Sequence, residues 1–177
     1  GHIIRWREDG RSVKATTFSW DLFVRCGDKQ TTKTLSSSYG SAGHDGYVGD
    51  IVGDDYGAPD GLWFDDYGRL WIQTDQAGNG LEDWVNIGGN VMMCADPNSR
   101  TTRRFLTSPT DCEVTGVTVT PDHRTMFINI QHPGDRGTPQ DPTAGSNWPH
   151  TQGYGPSGRP RSATVVIEKA DGGIIGT

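Results

Sequence analysis

Gly61-Leu62-Trp63-Phe64-Asp65-Asp66-Tyr67-Gly68-Arg69-Leu70-Trp71-Ile72-Gln73 decides how this chain is read. Two short apolar runs rich in aromatic and β-branched residues flank Asp-Asp-Tyr-Gly, so the stretch predicts strand, hairpin turn, strand. The design recurs. Gly116-Val117-Thr118-Val119-Thr120 runs into Pro121-Asp122-His123-Arg124, and Met126-Phe127-Ile128-Asn129 follows, with Thr125 as the one extra residue between the matched strands. The two leading glycines are 55 positions apart. A period near ~50 residues belongs to propeller and array architectures.

Working outward, Val91 to Ala95 and Arg103 to Leu106 flank Asp96-Pro97-Asn98-Ser99, a strong turn sequence. Residues 58–107 therefore carry four predicted strands, the size of one propeller blade. A second unit spans 113–177, interrupted by a proline- and glycine-rich insertion at 132–160. Its remaining strand pair is expected at Thr164 to Lys169 and at Ile174-Ile175. Upstream, Ile4 and Trp6 alternate with Arg5 and Arg7. Phe18, Trp20, Leu22 and Val24 share one face of a second strand, so 1–26 reads as half a blade. Asp9-Gly10 is expected to turn between them. A start on a ready-made strand predicts that the residues belong to something longer. Residues 27–57 are polar and glycine-rich, with Ser36-Ser37-Ser38 and Gly40-Ser41-Ala42-Gly43, and read as a long loop, either an ordered insertion or a flexible one. The expected fold is all-β: a partial β-propeller of two to three antiparallel blades with long loop insertions. Two or three blades leave outer sheet faces uncovered, so partner blades or another copy of the chain are expected against them.

Composition agrees with many short strands. The 177 residues include 25 Gly and 10 Pro, with 32% hydrophobic residues and six Trp to supply apolar surface. A net charge of -6 disfavours nucleic-acid binding, which needs a basic face. Cys26, Cys94 and Cys112 form no CxxC pair and are expected to be free thiols. No run approaches the ~18 apolar residues of a membrane-spanning helix.

Carboxylates gather at strand ends and turns: Asp60, Asp65, Asp66, Asp75, Glu82, Asp83, Glu113 and Asp122. Hard cations take such oxygen ligands. Asp65, Asp66 and Asp122 stand where hairpin turns favour Asp and read as structural. Asp60 and Glu113 stand at or just before the first strand of each repeat, a place that faces the central channel in a propeller. They read either as ligands converging on one ion or as turn caps. Arg103-Arg104 reads as a solvated strand edge. Arg161, just before an inner-looking strand, is the better anion candidate, because a guanidinium matches phosphate oxygens in pairs. His2, His44, His123, His132 and His150 show no HxH or HExxH spacing, and His132, ending a repeat strand, is placed to line the channel.

Pro59-Asp60-Gly61-Leu62, Gly68-Arg69-Leu70-Trp71-Ile72-Gln73-Thr74-Asp75, Cys112-Glu113-Val114-Thr115-Gly116 and Asn129-Ile130-Gln131-His132-Pro133-Gly134, taken in order, resemble the C-terminal part of PhoX-type alkaline phosphatases. So do the opening Gly1-His2-Ile3-Ile4-Arg5-Trp6 and the closing Arg159-Pro160-Arg161-Ser162. The resemblance implies a phosphatase that hydrolyses phosphate monoesters with calcium and iron and is exported by the twin-arginine route to the periplasm or beyond. It also implies that the remaining N-terminal propeller blades complete the site, and that this segment alone is inactive. Glu113 and Asp60 would be metal ligands and Arg161 would contact the phosphate. The alternatives are another calcium-binding propeller hydrolase of lactonase-like type and a non-catalytic propeller binding module.

Overall fold

The computed structural model describes residues 1–30, 48–76, 85–150 and 158–177. Glu82, Asp83, His44, the serine run and Gly40 to Gly43 lie outside the described residues. The chain is all-β, and no α-helix occurs among the described residues. None of them forms a helix long and apolar enough to cross a membrane.

A hairpin of β1 (His2–Glu8) and β2 (Phe18–Arg25) comes first, joined through a 3-10 turn at Asp9–Arg11. The next sheet orders its strands β3-β7-β6-β5-β4, with β3 at Val52–Gly53. Within it β4 (Pro59–Phe64), β5 (Leu70–Thr74), β6 (Val91–Ala95) and β7 (Thr101–Thr107) form an antiparallel meander. The third sheet is β10-β9-β8, from β8 (Glu113–Val119), β9 (Thr125–Gln131) and β10 (Ala163–Glu168).

Two local expectations need correction. Residues 27–57 are not all loop: Val52–Gly53 forms β3, paired parallel to β7. Arg104 holds that addition in place, its backbone N–H donating to Asp54 Oδ2 at 2.8 Å and its guanidinium to the Asp55 carbonyl at 2.9 Å. Ile174-Ile175 is not a strand. Ile175 is buried in the core and its N–H donates to the His123 carbonyl at 2.9 Å, so the segment folds over the β8–β9 turn instead of adding a fourth strand.

Side-chain alternation explains the layering. Along β5 and β6, Leu70, Ile72, Val91, Met93 and Ala95 point one way, and join Ile3, Phe23 and Val24 of the hairpin in one apolar core. Trp71 and Met92 point the other way and pack with Val114, Met126, Ile128 and Ile130 of the third sheet. A sheet buried on both faces needs apolar residues at consecutive positions, which Leu70-Trp71-Ile72 supplies. Each such large side chain contributes roughly 1.5–3 kcal/mol by leaving water.

The two repeated hairpins share one irregularity. The β4–β5 register shifts between Pro59 and Leu62, and the β8–β9 register shifts between Thr115 and Val117. Gly61 and Gly116 occupy those bulges with an amide side chain lying across each, Gln73 over Gly61 and Asn129 over Gly116. A Cβ on Gly116 would sit 2.6 Å from Asn129 Nδ2, and its φ of +56° is a conformation glycine adopts freely.

The turn ends of these hairpins meet. His123 Nε2 lies 3.0 Å from Asp66 Oδ2, joining the β8–β9 turn to the β4–β5 turn. Tyr67 packs edge-on against the same imidazole.

Candidate functional site

At the opposite end of the paired hairpins, β8 begins with Glu113. It is buried there, 8% exposed. Gln131, the last residue of β9 and its direct cross-strand partner, donates from Nε2 to Glu113 Oε2 at 2.9 Å. His132 Nε2 lies 3.4 Å from the same oxygen. Both neighbours thus engage Oε2.

Glu113 holds its proton more tightly than an ordinary glutamate. Burial is the main cause, the negative charge of Asp75 adds to it, and Asp60 adds further, while the hydrogen bond and charge of His132 pull the other way. Asp75 follows the end of β5, its backbone N–H donating to the Ala58 carbonyl at 3.0 Å, and Asp60 lies in the β4 bulge beside Gly61. The structure therefore gathers Glu113, Asp60, Asp75 and His132 at one end of two adjacent sheets. Of these, Asp75 was grouped in sequence with turn carboxylates. Its signal lay in the repeat: Asp75 falls at the register position that Gln131 holds in the second unit.

One buried carboxylate, with two more near enough to act on its charge, makes an oxygen-rich donor set suited to a hard cation such as calcium. His132 Nδ1 is buried without a hydrogen-bond partner, which leaves one further donor atom uncommitted. Among the described residues, however, no group of three His, Cys, Asp or Glu is placed to enclose a metal ion by itself. The set fits part of a coordination sphere. It offers no thiolate: Cys112 Sγ is directed to the Pro109 carbonyl at 3.1 Å, and burial pushes its pKa up to about 11. Cys26 and Cys94 are likewise free, with thiols that burial pushes upward.

Arg161 is exposed and directly precedes the residues that lead into β10. Its backbone N–H donates to the Trp148 carbonyl at 3.1 Å. The next residue, Ser162, accepts the backbone N–H of His132 at 3.0 Å, so 161–162 lie at the Glu113 end of the third sheet.

The other carboxylates have local work. Asp65 Oδ1 accepts the backbone N–H groups of Tyr67 (3.0 Å) and Arg69 (2.9 Å), and Oδ2 accepts Arg69 Nε (2.6 Å) and Trp71 Nε1 (2.9 Å). Asp122 Oδ1 accepts Thr120 Oγ1 at 2.6 Å within its turn. Asp111, only two residues before Glu113, turns away into the 134–145 loop. Its Oδ2 accepts the Arg136 N–H at 2.8 Å, its carbonyl accepts the Gly134 N–H at 2.7 Å, and Arg136 Nε lies 3.4 Å from Oδ1. Its φ of +59° makes that reversal, a conformation Asp tolerates better than most residues.

Comparison with known proteins fits this picture. Residues 1–134 match the family model described as alkaline phosphatase PhoX. Among solved structures, Pseudomonas fluorescens PhoX in complex with vanadate, a transition state analogue, superposes with a TM-score of 0.80 at 39% sequence identity. The match covers 99% of this chain and 27% of that one, so the chain spans about a quarter of the length of that relative. No curated protein matches. The resemblance read from the sequence is thus borne out: this chain belongs to the PhoX alkaline phosphatase family.

Proposed function

We propose that this chain is the C-terminal segment of an exported, metal-dependent phosphatase that hydrolyses phosphate monoesters. In this reading Glu113 and Asp60 are metal ligands, Arg161 contacts the phosphate, and the remaining N-terminal blades complete the site. Residues 1–26, 58–107 and 113–177 would be half a blade, a whole blade and a blade with an insertion at 132–160. The carrying observation is Glu113, a buried carboxylate on which Asp75 and Asp60 act with like charge that the imidazole of His132 offsets only in part. Evolved folds seldom bury like charge without a counter-ion. The vanadate complex of the Pseudomonas fluorescens relative supports phosphoryl transfer as the chemistry.

Each residue has a definable task. Gln131 and His132 anchor Oε2 of Glu113, which leaves Oε1 as the oxygen available to a cation. Asp60 and Asp75 add oxygen donors and negative potential. Bound at such a site, calcium and iron would neutralise the ester, activate an oxygen nucleophile and stabilise the leaving oxygen. Arg161 suits the non-bridging phosphoryl oxygens through paired N–H donors. Asp111, held by Arg136, keeps its charge directed into the 134–145 loop. The twin-arginine route and a periplasmic or extracellular setting complete the proposal.

The test is Glu113→Gln in the full-length enzyme, with Asp122→Asn as the control. Metal content by mass spectrometry and hydrolysis of p-nitrophenyl phosphate are measured on both. Glu113→Gln should lose bound metal and lower turnover by roughly two orders of magnitude or more, while the control stays near wild type. Unchanged metal and turnover in Glu113→Gln would overturn the site assignment. The 177-residue segment alone should show no phosphatase activity.

A further inference from the structure

The β1–β2 hairpin has inverted polarity. Its inward face places Ile3, Phe23 and Val24 in the core and Arg5 against Asp21 at the rim, with Arg5 Nη2 and Asp21 Oδ2 2.8 Å apart. Its outward face carries Ile4, Trp6, Phe18, Trp20 and Leu22, all exposed, with Trp20 63% exposed. Register pairs Ile4 with Leu22 and Trp6 with Trp20, so these side chains form one cross-strand cluster. The cluster continues onto the neighbouring sheet edge, because Ile4 and Trp6 share a cleft with Leu62 and Phe64 of β4. Taking large apolar side chains at about 200 Å² each, these seven leave on the order of 700 Å² open. The largest apolar patch on a typical monomer is about 300–600 Å², and one side of a stable protein interface is about 800 Å².

We infer that this face is the seat of a further β-sheet layer supplied by the part of a full-length PhoX chain that these residues do not span. The inference rests on the proposed parentage above and adds where the joint lies. Three observations favour that occupant. The Pseudomonas fluorescens relative matches nearly all of this chain yet leaves roughly three quarters of its own length unmatched. Within the described residues, sheets stack face to face with apolar side chains between them, and the hairpin ends the stack. The other end of the stack is more mixed: among the outward positions of β9 and β10, exposed Val166 stands beside exposed Asn129, Thr164 and Glu168. The Trp6 indole N–H already bonds Glu8 Oε1 at 3.2 Å, so covering the hairpin strands no buried donor there.

Hydroxyl-radical footprinting of the full-length protein, read by mass spectrometry, tests this directly. Modification rates of Trp6 and Trp20 in native protein are divided by their rates after unfolding, and exposed Tyr67 on the β4–β5 turn serves as reference. In a monomer fraction, both indoles should react roughly ten-fold or more slowly than when unfolded, with Tyr67 slowed far less. Rates for Trp6 and Trp20 that track Tyr67 would overturn the inference. So would protection seen only in an oligomer and lost on dilution, which would assign the face to a second copy. The readout is independent of metal and turnover, so a failed Glu113→Gln test and a failed footprint are separate outcomes.

Discussion

Replacing Asp65 removes the most heavily committed side chain in the first hairpin. Its carboxylate accepts four hydrogen bonds, and its side chain is 1% exposed. In Asp65→Ala the Trp71 indole N–H, in a residue 1% exposed, loses its acceptor where water has no ready access. An orphaned buried donor costs about 1–3 kcal/mol. Arg69 loses its ion pair, but it is 19% exposed and can turn to water, so its share falls at the low end. The two turn N–H groups add a fraction more, for a total of about 3–4 kcal/mol. Asp65→Asn keeps the shape and one acceptor, and should cost about half as much. For a chain of this size the alanine variant should melt on the order of 10 °C lower. The acid limb supplies a second check. Burial pushes the Asp65 pKa up, but hydrogen bonds from Trp71 and from the Arg69 backbone and side chain outweigh it, and hold the group below its ordinary value. A depressed carboxylate stabilises the fold above the unfolded pKa of ~3.9 and loses that contribution as pH falls through the folded value. The gap between wild type and Asp65→Asn should therefore be full near neutrality and shrink in acid. Urea unfolding followed by tryptophan fluorescence at several pH values measures both. A cost under ~1 kcal/mol for Asp65→Ala, or a wild-type advantage over Asp65→Asn that ignores pH, would refute the reasoning.

The glycine bulges separate steric from backbone cost. Gly61→Ala should destabilise by about 1–2 kcal/mol and recover most of it when Gln73→Ala clears the space, whereas Gly116→Ala should keep about 1 kcal/mol after Asn129→Ala because its φ stays positive; melting curves of the single and double variants decide. In metal-free protein, Glu113→Gln should be more stable than wild type near neutral pH. The raised folded pKa means that wild type loses stability as pH climbs from the unfolded value of ~4.3 through the folded one, so the difference should vanish in acid. Thermal melts in chelator across pH measure it, and an unchanged or lower melting point at pH 7 counts against the like-charge account of the site.

Residues 61–73 disclosed their hairpin because strand alternation and turn chemistry are local properties, written in adjacent side chains. Asp65 and Asp122 could be assigned to their turns for the same reason. Glu113 could be singled out by its place in the repeat, but its partners could not. Asp75, Gln131 and His132 reach it through pairing between β8 and β9 and packing between sheets, neither of which is a local signal. The parallel β3 was illegible because two residues carry no periodicity. Ile174-Ile175 looked like a strand because an apolar pair suits a strand or a core plug equally, and only the His123 carbonyl distinguishes them. Asp111 shows the limit of spacing arguments: two residues from Glu113, a positive φ sends it the other way.

The contact between His123 and Asp66 has a mechanical consequence. It fastens the two hairpins at their turns, while Asp75 and Asp60 set like charge against Glu113 at the far ends. Two arms clasped at one tip and mutually repelled at the other form a pair of tongs. A cation at the charged tips would relieve that repulsion, and its loss would leave the apolar core between the arms to hold them against it.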